Sequence, residues 1–157
     1  CITGDNLVTN GSFDGDSTTG WSSSTASGAS ISSSSGQLSI LSGDGEYGGA
    51  YQAVAMTSGN TYELTLDVIS SNVISQVRLG ASNVINDNYS QHFAGSGDVI
   101  VGTGQTFYFL AGGDYSYLYL GGRDDVDSLV VDNVSVKQVN GNPGTLVNTP
   151  TFSTDIP

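Results

Sequence analysis

The chain has 157 residues, of which 15 are acidic and three basic, giving a formal net charge of -12. This length suits one domain with a single core and is short for two ordinary domains. The charge disfavours nucleic acids and anionic membrane surfaces as partners, because few cationic side chains are available to neutralise phosphates. No stretch approaches the roughly 20 consecutive apolar residues of a membrane-spanning helix, so we expect no membrane insertion.

Residues that favour strands and turns dominate the composition, which includes 22 Gly and eight Tyr but few strong helix formers. We therefore predict an all-β fold. From residue 7 onward, short β-type runs alternate with Gly, Ser, Asn and Asp clusters, as is typical of a two-sheet β-sandwich. The predicted strands are residues 7–13, 29–32, 37–41, 50–56, 61–70, 75–79, 98–101, 105–110, 115–121 and 128–139.

Two of these strands alternate clearly between positions of one face and the other. In the strand at 61–70, the predicted inward set is Tyr62, Leu64, Leu66 and Val68. In the last strand, the predicted inward set is Val130, Asp132, Val134 and Val136. Between the strands, residues 57–60 and 111–114 are predicted turns.

The two ends of the chain differ from the rest. Residues 140–157 contain all three prolines, which cannot donate to a sheet ladder. We therefore predict a sandwich domain at 1–139 and an extended tail, either an arm that lies on a neighbouring molecule or a flexible exit. Cys1 is the only cysteine, which excludes an internal disulfide. It is either the lipidated residue of a mature lipoprotein, and so a lipid anchor, or a processing boundary, which we favour.

Five short motifs follow one another in a characteristic order. They are NLVTNGSFD at 6–14, GW at 20–21, AYQAV at 50–54, SGNTYEL at 58–64 and VDNVSV at 131–136. With these motifs, residues 6 to about 139 resemble the carbohydrate-binding modules of families 4, 9 and 22, which share a galactose-binding-like jelly roll. The resemblance implies a two-sheet jelly roll that binds polysaccharide or a cell-surface glycan, outside the cell or on its surface.

The resemblance also implies one structural calcium ion where the first and last strands meet. The matching acidic positions are Asp14 and Asp132, with Asp5 and Asn10 close by in sequence. Calcium suits such a place because it accepts many oxygen ligands in flexible geometry. An Asp132 turned inward between valines would be costly to bury without a cation or donors. In the alternative, Asp14 begins a turn and Asp132 caps a strand edge, both of them solvated.

Sugar recognition needs aromatic rings for the apolar side of a pyranose and polar side chains for its hydroxyls. Tyrosine also favours strands, so most of the tyrosines can equally be packing residues. Arg78 either pairs with a carboxylate or presents donors to a ligand, and Trp21 is assigned to the core. The candidate sugar-binding residues are Tyr47, Tyr51, Gln76, Arg78, Tyr89, Gln91, His92 and Tyr117.

No catalytic arrangement is evident, so we expect a binding domain and not an enzyme. The single histidine, His92, has no strand-turn-helix nucleophile motif to act on, and no phosphate-binding loop is present. Nothing selects a catalytic pair among the acidic residues. A second hypothesis is a structural subunit of a virion, tail fibre or extracellular filament that forms homo-oligomers through its terminal segments. The tail supports it, because it is similar to the ends of many jelly-roll or lectin-like structural proteins of bacteriophages.

Overall fold

Two antiparallel sheets form the protein in a computed structural model that describes residues 2–24, 28–43, 49–71, 77–83, 91–94, 101–122 and 128–140. This architecture confirms the predicted all-β sandwich. The strands are β1 (Ile2–Asn6), β2 (Ser22–Ser23), β3 (Ser30–Ser34), β4 (Gln37–Leu41), β5 (Gly49–Met56), β6 (Thr61–Ser71), β7 (Val77–Ser82), β8 (Gln91–Ala94), β9 (Gly102–Leu110), β10 (Tyr115–Gly122) and β11 (Ser128–Asn140).

The six-stranded sheet has the order β3-β4-β11-β6-β9, and β1 pairs with the C-terminal part of β11. The five-stranded sheet has the order β2-β5-β10-β7-β8. Some consecutive strands, such as β5 and β6, lie in different sheets, so the connection between them crosses from one sheet to the other. Others, such as β3 and β4, pair within one sheet. The turn between β5 and β6 is the predicted one, closed by the Asn60 amide donating to the Thr57 carbonyl at 3.2 Å.

The core lies between the inner faces of the two sheets. On β6 the buried residues are the predicted Tyr62, Leu64, Leu66 and Val68, which confirms the alternation of that strand. Trp21 is 6% exposed, and its ring centroid lies 5.7 Å from that of Phe13. Trp21 thus belongs to the core, as predicted.

The alternation predicted for the last strand is wrong in its first half. Leu129 and Val131 are buried, then Val134 and Val136, so the inward phase changes between them. The register shows the cause: three steps along β11, from Asp132 to Ser135, match two steps along β6. This β-bulge adds one residue and reverses the alternation. Asp132 consequently lies on the outer face, opposite Asp67.

The first predicted strand, at 7–13, is also wrong. Residues 7–20 form a loop, and the first strand is β1, which precedes it. The backbone angle φ is +52° at Asn10 and +50° at Phe13, a left-handed conformation that is incompatible with a regular strand. The apolar residues of this segment still reach the core, because Val8 and Phe13 are buried.

Several other predictions fall at the limits of the described residues. The predicted strand at 75–79 corresponds to β7, which runs further, and β8 was not predicted. Residues 98–100 and 141–157 lie outside the described residues, so the tail stays a prediction. Within the described ranges, no helix has the length and apolarity needed to cross a membrane.

Candidate functional site

The outer face of the five-stranded sheet carries a set of tyrosines that we call the tyrosine face: Tyr51 on β5 and Tyr117 and Tyr119 on β10. Their alternate neighbours on the same strands, such as Val54 and Leu118, lie in the core. Because side chains alternate between the faces of a strand, the tyrosines belong to the opposite, outer face. Tyr119 pairs directly with Tyr51 in the register.

Two of these tyrosines form a buried pair. The ring centroids of Tyr51 and Tyr119 are 5.0 Å apart with an interplanar angle of 59°. Their exposed fractions are 1% and 0%. A Cβ added to Gly49 would overlap the carbonyl oxygen of Leu120 and would lie 2.9 Å from Cε2 of Tyr119, so glycine at this position makes room for the backbone of β10 and for the ring. Tyr51, a predicted sugar-binding residue, therefore supports the face from within and presents little surface of its own.

Tyr117 is the partly exposed member of the tyrosine face. In the register it lies between Ala53 on β5 and Ser82 on β7. Ala53 is exposed, and neither neighbour has a side chain large enough to cover an aromatic ring. Tyr117 therefore has small residues on both sides within the sheet, which leaves room for a flat ligand to contact its ring.

The register brings two further predicted residues to the same face. Arg78 pairs with Gly121, and His92 pairs with Gly80, the residue opposite Tyr119. Four of the eight predicted sugar-binding residues thus occupy neighbouring positions of one sheet face: Tyr51, Arg78, His92 and Tyr117. Gln91 pairs instead with Ala81, a core residue. Tyr47, Gln76 and Tyr89 lie outside the described residues.

The second candidate region is the loop 7–20, which closes one edge of β11. The Leu7 amide donates to the Val136 carbonyl at 2.8 Å, and the Val134 amide donates to the Gly11 carbonyl at 2.9 Å. These bonds lie between the part of β11 that pairs with β4 and the part that pairs with β1. The first and last segments of the fold therefore meet where the predicted calcium site would be.

Hydrogen bonds of Asn10 hold this loop in shape. Its Nδ2 donates to the carbonyls of Ser17 at 2.7 Å and Thr19 at 3.2 Å. Its own carbonyl accepts from Nε1 of Trp21 at 3.2 Å. Asn10, predicted as a neighbour of the metal, thus donates hydrogen bonds through its side-chain amide nitrogen, while its main-chain carbonyl accepts one from Trp21.

The acidic residues predicted to bind calcium do not converge. Asp14 and Asp5 are exposed, and Oδ2 of Asp14 accepts from Oγ of Ser12 at 2.7 Å. Oδ1 of Asp132 accepts from the amide of Asn133 at 2.6 Å. Within the described ranges, no three acidic, histidine or cysteine side chains group closely enough to hold a metal ion. An ion at this loop would need main-chain oxygens for most of its ligands.

Asp132 does not need a cation to offset burial between valines, contrary to the expectation from the sequence. The bulge in β11 turns Asp132 to the outer face, where it lies opposite Asp67. Asp67 has donors on both oxygens, since Oδ1 accepts from the Gly104 amide at 2.6 Å and Oδ2 from Nδ2 of Asn133 at 2.8 Å. Calcium here rests on the resemblance alone.

The sequence analysis did not identify Tyr119 as a member of the tyrosine face or Gln52 as the link between the five-stranded sheet and the loop 7–20. The signal for Tyr119 was present, because it stands two residues after Tyr117 and so shares its face. Gln52 is 4% exposed, and its amide makes two bonds to Thr9: Nε2 donates to the carbonyl at 2.8 Å, and Oε1 accepts from the amide at 2.7 Å. Gln52 joins the five-stranded sheet to the loop 7–20.

Solved structures share this fold at low sequence identity. The CBM22-1 xylan-binding domain from Paenibacillus barcinonensis Xyn10C has a TM-score of 0.58 and 16% identity, and the alignment covers 90% of this chain and 99% of that one. CBM29_1, a family 29 carbohydrate binding module from Piromyces equi, has a TM-score of 0.51 and 9% identity, with 80% and 85% covered. A CBM4 structure has a TM-score of 0.51 and 14% identity, with 83% and 99% covered.

At these identities the solved structures establish the fold, while a family profile establishes the relationship. The comparison with curated protein sequences gives no significant match. The profile of the CBM_4_9 family, a carbohydrate binding domain, matches residues 5–118, which is more than half of the chain. This match spans the first four of the five motifs and confirms both the resemblance and the expectation of a non-catalytic module. The chain belongs to the CBM_4_9 family of carbohydrate binding domains.

Proposed function

We propose that this module binds a neutral polysaccharide on the outer face of the five-stranded sheet, outside the cell or at its surface. One observation carries the proposal: the strand register gathers Tyr51, Arg78, His92 and Tyr117 on neighbouring positions of one face. Directly paired residues of neighbouring strands share one face of a sheet, so a single ligand can reach an aromatic residue and two residues with hydrogen-bonding groups. Gln91 is not part of this group, because it pairs with a core residue.

The residues of this face have distinct roles. Tyr117 stacks its ring on the apolar side of a pyranose, because its neighbours within the sheet are small. The buried pair of Tyr51 and Tyr119 keeps β5 and β10 rigid beneath the ligand, which lowers the entropy lost on binding. Arg78 and His92 occupy the flanking strands, where donors to sugar hydroxyls are needed.

The net charge of -12 decides the class of polysaccharide. A uronic-acid-rich chain would be repelled by the acidic surface, whereas neutral hexose or pentose polymers have no such penalty. The related CBM22-1 domain is a xylan-binding domain, and a family 29 carbohydrate binding module forms a complex with cellohexaose. Both polymer classes are neutral in their unsubstituted form, so soluble xylan and cello-oligosaccharides are the first probes to use.

Affinity electrophoresis with soluble polysaccharides, followed by calorimetry with oligosaccharides, tests the proposal. We expect Tyr117→Ala to lower the association constant roughly five- to tenfold, since the aromatic contact contributes about 1 kcal/mol. Tyr117→Phe, which retains the ring, is the matched control and should retain most of the affinity. Unchanged binding by Tyr117→Ala would place the ligand elsewhere, and an unmodified protein that binds no neutral polysaccharide would refute the proposed function.

A further inference from the structure

The outer face of the six-stranded sheet, on the other side of the sandwich, carries its own row of functional groups. Tyr108 on β9 pairs with Glu63 on β6, and Glu63 pairs with Lys137 on β11. We call these three residues the Tyr108 row. Tyr108 is 56% exposed, although most large apolar and aromatic side chains of the described residues are buried. It is the aromatic residue that this face offers most openly to a ligand.

A hydrogen bond fixes the position of the exposed ring. The Tyr108 hydroxyl donates to Oε2 of Glu63 at 2.6 Å. The bond to this carboxylate, together with some desolvation and the carboxylate charge, raises the pKa of Tyr108 above its usual value. The ring is therefore held at its hydroxyl end while much of its surface faces solvent. A fixed aromatic surface loses less entropy on binding than a freely rotating one.

The neighbouring groups complement a hydroxyl-rich ligand. Adjacent strands lie about 4.8 Å apart, so the Tyr108 row spans about 10 Å across three strands. Across this distance it offers an aromatic surface, a carboxylate that accepts hydrogen bonds and an ammonium that donates them. The next row holds the hydroxyl residues Thr106 and Thr65, which pair with each other. Lys137 is the only lysine of the chain.

The combination selects a neutral sugar over other partners. An apolar partner would cover Glu63 and Lys137 without offering hydrogen bonds to these charged groups, which is costly. An anionic partner would meet a protein of net charge -12. A pyranose presents an apolar side to an aromatic ring and hydroxyls that both donate and accept around its edge, and so matches all three residues.

We propose that the Tyr108 row is a second sugar-binding site, specific for neutral pyranose chains and separate from the tyrosine face. The proposal rests on the proposed function, because it assumes that neutral glycans are the ligands of this module. The two sites lie on opposite outer faces with the core between them. One molecule therefore binds two glycan chains, or two parts of one folded chain, and so links them with an avidity greater than that of either site.

The test uses the full chain with the tyrosine face disabled by Tyr117→Ala and Arg78→Ala. This variant should retain weak binding to soluble xylan or cello-oligosaccharides in calorimetry, and adding Tyr108→Ala should lower the remaining association constant roughly tenfold or abolish binding. Tyr108 is exposed, so its replacement should leave the thermal unfolding midpoint nearly unchanged. Val101→Ala, which trims another exposed apolar residue next to β9, is the control and should have no effect.

A second readout follows the tyrosine itself. Sugar hydroxyls that bond to Glu63 compete with the Tyr108 hydroxyl. The tyrosinate absorbance titration of the disabled variant should therefore differ between the free protein and the protein saturated with oligosaccharide. Adding Tyr108→Phe should remove that difference. If the unmodified protein binds and the disabled variant neither binds nor shows the shift, the second site is refuted and the proposed function stands. If the unmodified protein binds no neutral glycan, both fail together.

Discussion

Replacing Gly11 by alanine is expected to destabilise the protein by separating the loop 7–20 from β11. A Cβ added at Gly11 would overlap the carbonyl oxygen of Val134 and would lie 3.0 Å from its carbonyl carbon and 3.3 Å from Cγ1 of Val8. The first of these atoms belongs to the backbone of a strand that pairs on both edges. The strand cannot move aside, so the loop must move.

The magnitude follows from the contacts that change. Moving the loop breaks the 2.9 Å bond between the Val134 amide and the Gly11 carbonyl, which contributes about 1 kcal/mol. Accommodating the methyl group in packed surroundings costs roughly 1–3 kcal/mol. The smaller conformational freedom of unfolded alanine offsets about 0.4–1 kcal/mol. We expect a net loss of about 1–3 kcal/mol from a total stability on the order of 5–15 kcal/mol.

Urea denaturation followed by fluorescence measures this loss, because Trp21 is the only tryptophan and its Nε1 is bonded to the loop at Asn10. Circular dichroism of the same samples follows the sheets. Gly102→Ala is the matched control: a Cβ there would have no heavy atom within 4 Å, so its stability should change by less than about 0.5 kcal/mol. Equal stabilities of Gly11→Ala and Gly102→Ala would refute the reasoning.

Three further predictions concern other parts of the molecule. Gln52→Ala should cost about 2–3 kcal/mol in urea denaturation, because both its bonds to Thr9 are lost and buried polar groups are left unpaired; a loss below 0.5 kcal/mol, on the order of a neutral surface change, would contradict this. Glu63→Gln should bring the raised pKa of Tyr108 back toward the usual value of about 10. The pKa of Tyr108 is higher in the folded state than in the unfolded state, so the stabilisation by its bond to Glu63 is complete below the unfolded pKa and is lost as the pH rises through the folded pKa. Identical tyrosinate absorbance titrations of the unmodified protein and Glu63→Gln would contradict this prediction. The resemblance implies that calcium stabilises the fold, so the urea midpoint should be higher with calcium than with a chelator. Asp14→Asn should remove that difference. Equal midpoints of the unmodified protein in the two conditions would argue against a bound ion.

The sequence predicted those parts of the fold in which local pattern and tertiary structure agree. In β6 the apolar residues alternate without interruption, and each one is buried as expected. The five ordered motifs likewise predicted the family: they supply part of the loop 7–20, Trp21, part of β5, the start of β6 and the bulged part of β11. Four of the predicted sugar-binding residues share one sheet face because the register pairs their positions, which no local pattern determines.

The parts that were not predicted depend on tertiary contacts or on weak local signals. The bulge in β11 inserts one residue between Asp132 and Ser135, and the only sign of it in Val-Asp-Asn-Val-Ser-Val is the pair of consecutive polar residues, Asp132 and Asn133, between two valines. Asn133 adopts a φ of +50° at this point, a conformation that asparagine tolerates better than most residues. Residues 7–13 have the composition of a strand, yet the left-handed backbone at Asn10 and Phe13 and the hydrogen bonds of Leu7 and Gly11 to β11, more than a hundred positions away, make this segment a loop.

The bulge matters for function because it decides which groups each face of the six-stranded sheet presents. If β11 ran regularly from Val131, the residues at odd positions would stay inward, and Lys137 would be directed to the core while Val134 and Val136 faced solvent. The extra residue reverses this order, buries both valines and places Lys137 opposite Glu63 on the outer face. A charge that would otherwise be costly to bury lies instead on the outer face, next to Glu63 in the Tyr108 row. Removing the extra residue by deleting Asn133 should therefore disrupt the core and the Tyr108 row together. Because the five-stranded sheet packs on the same core, the tyrosine face should lose stability with them.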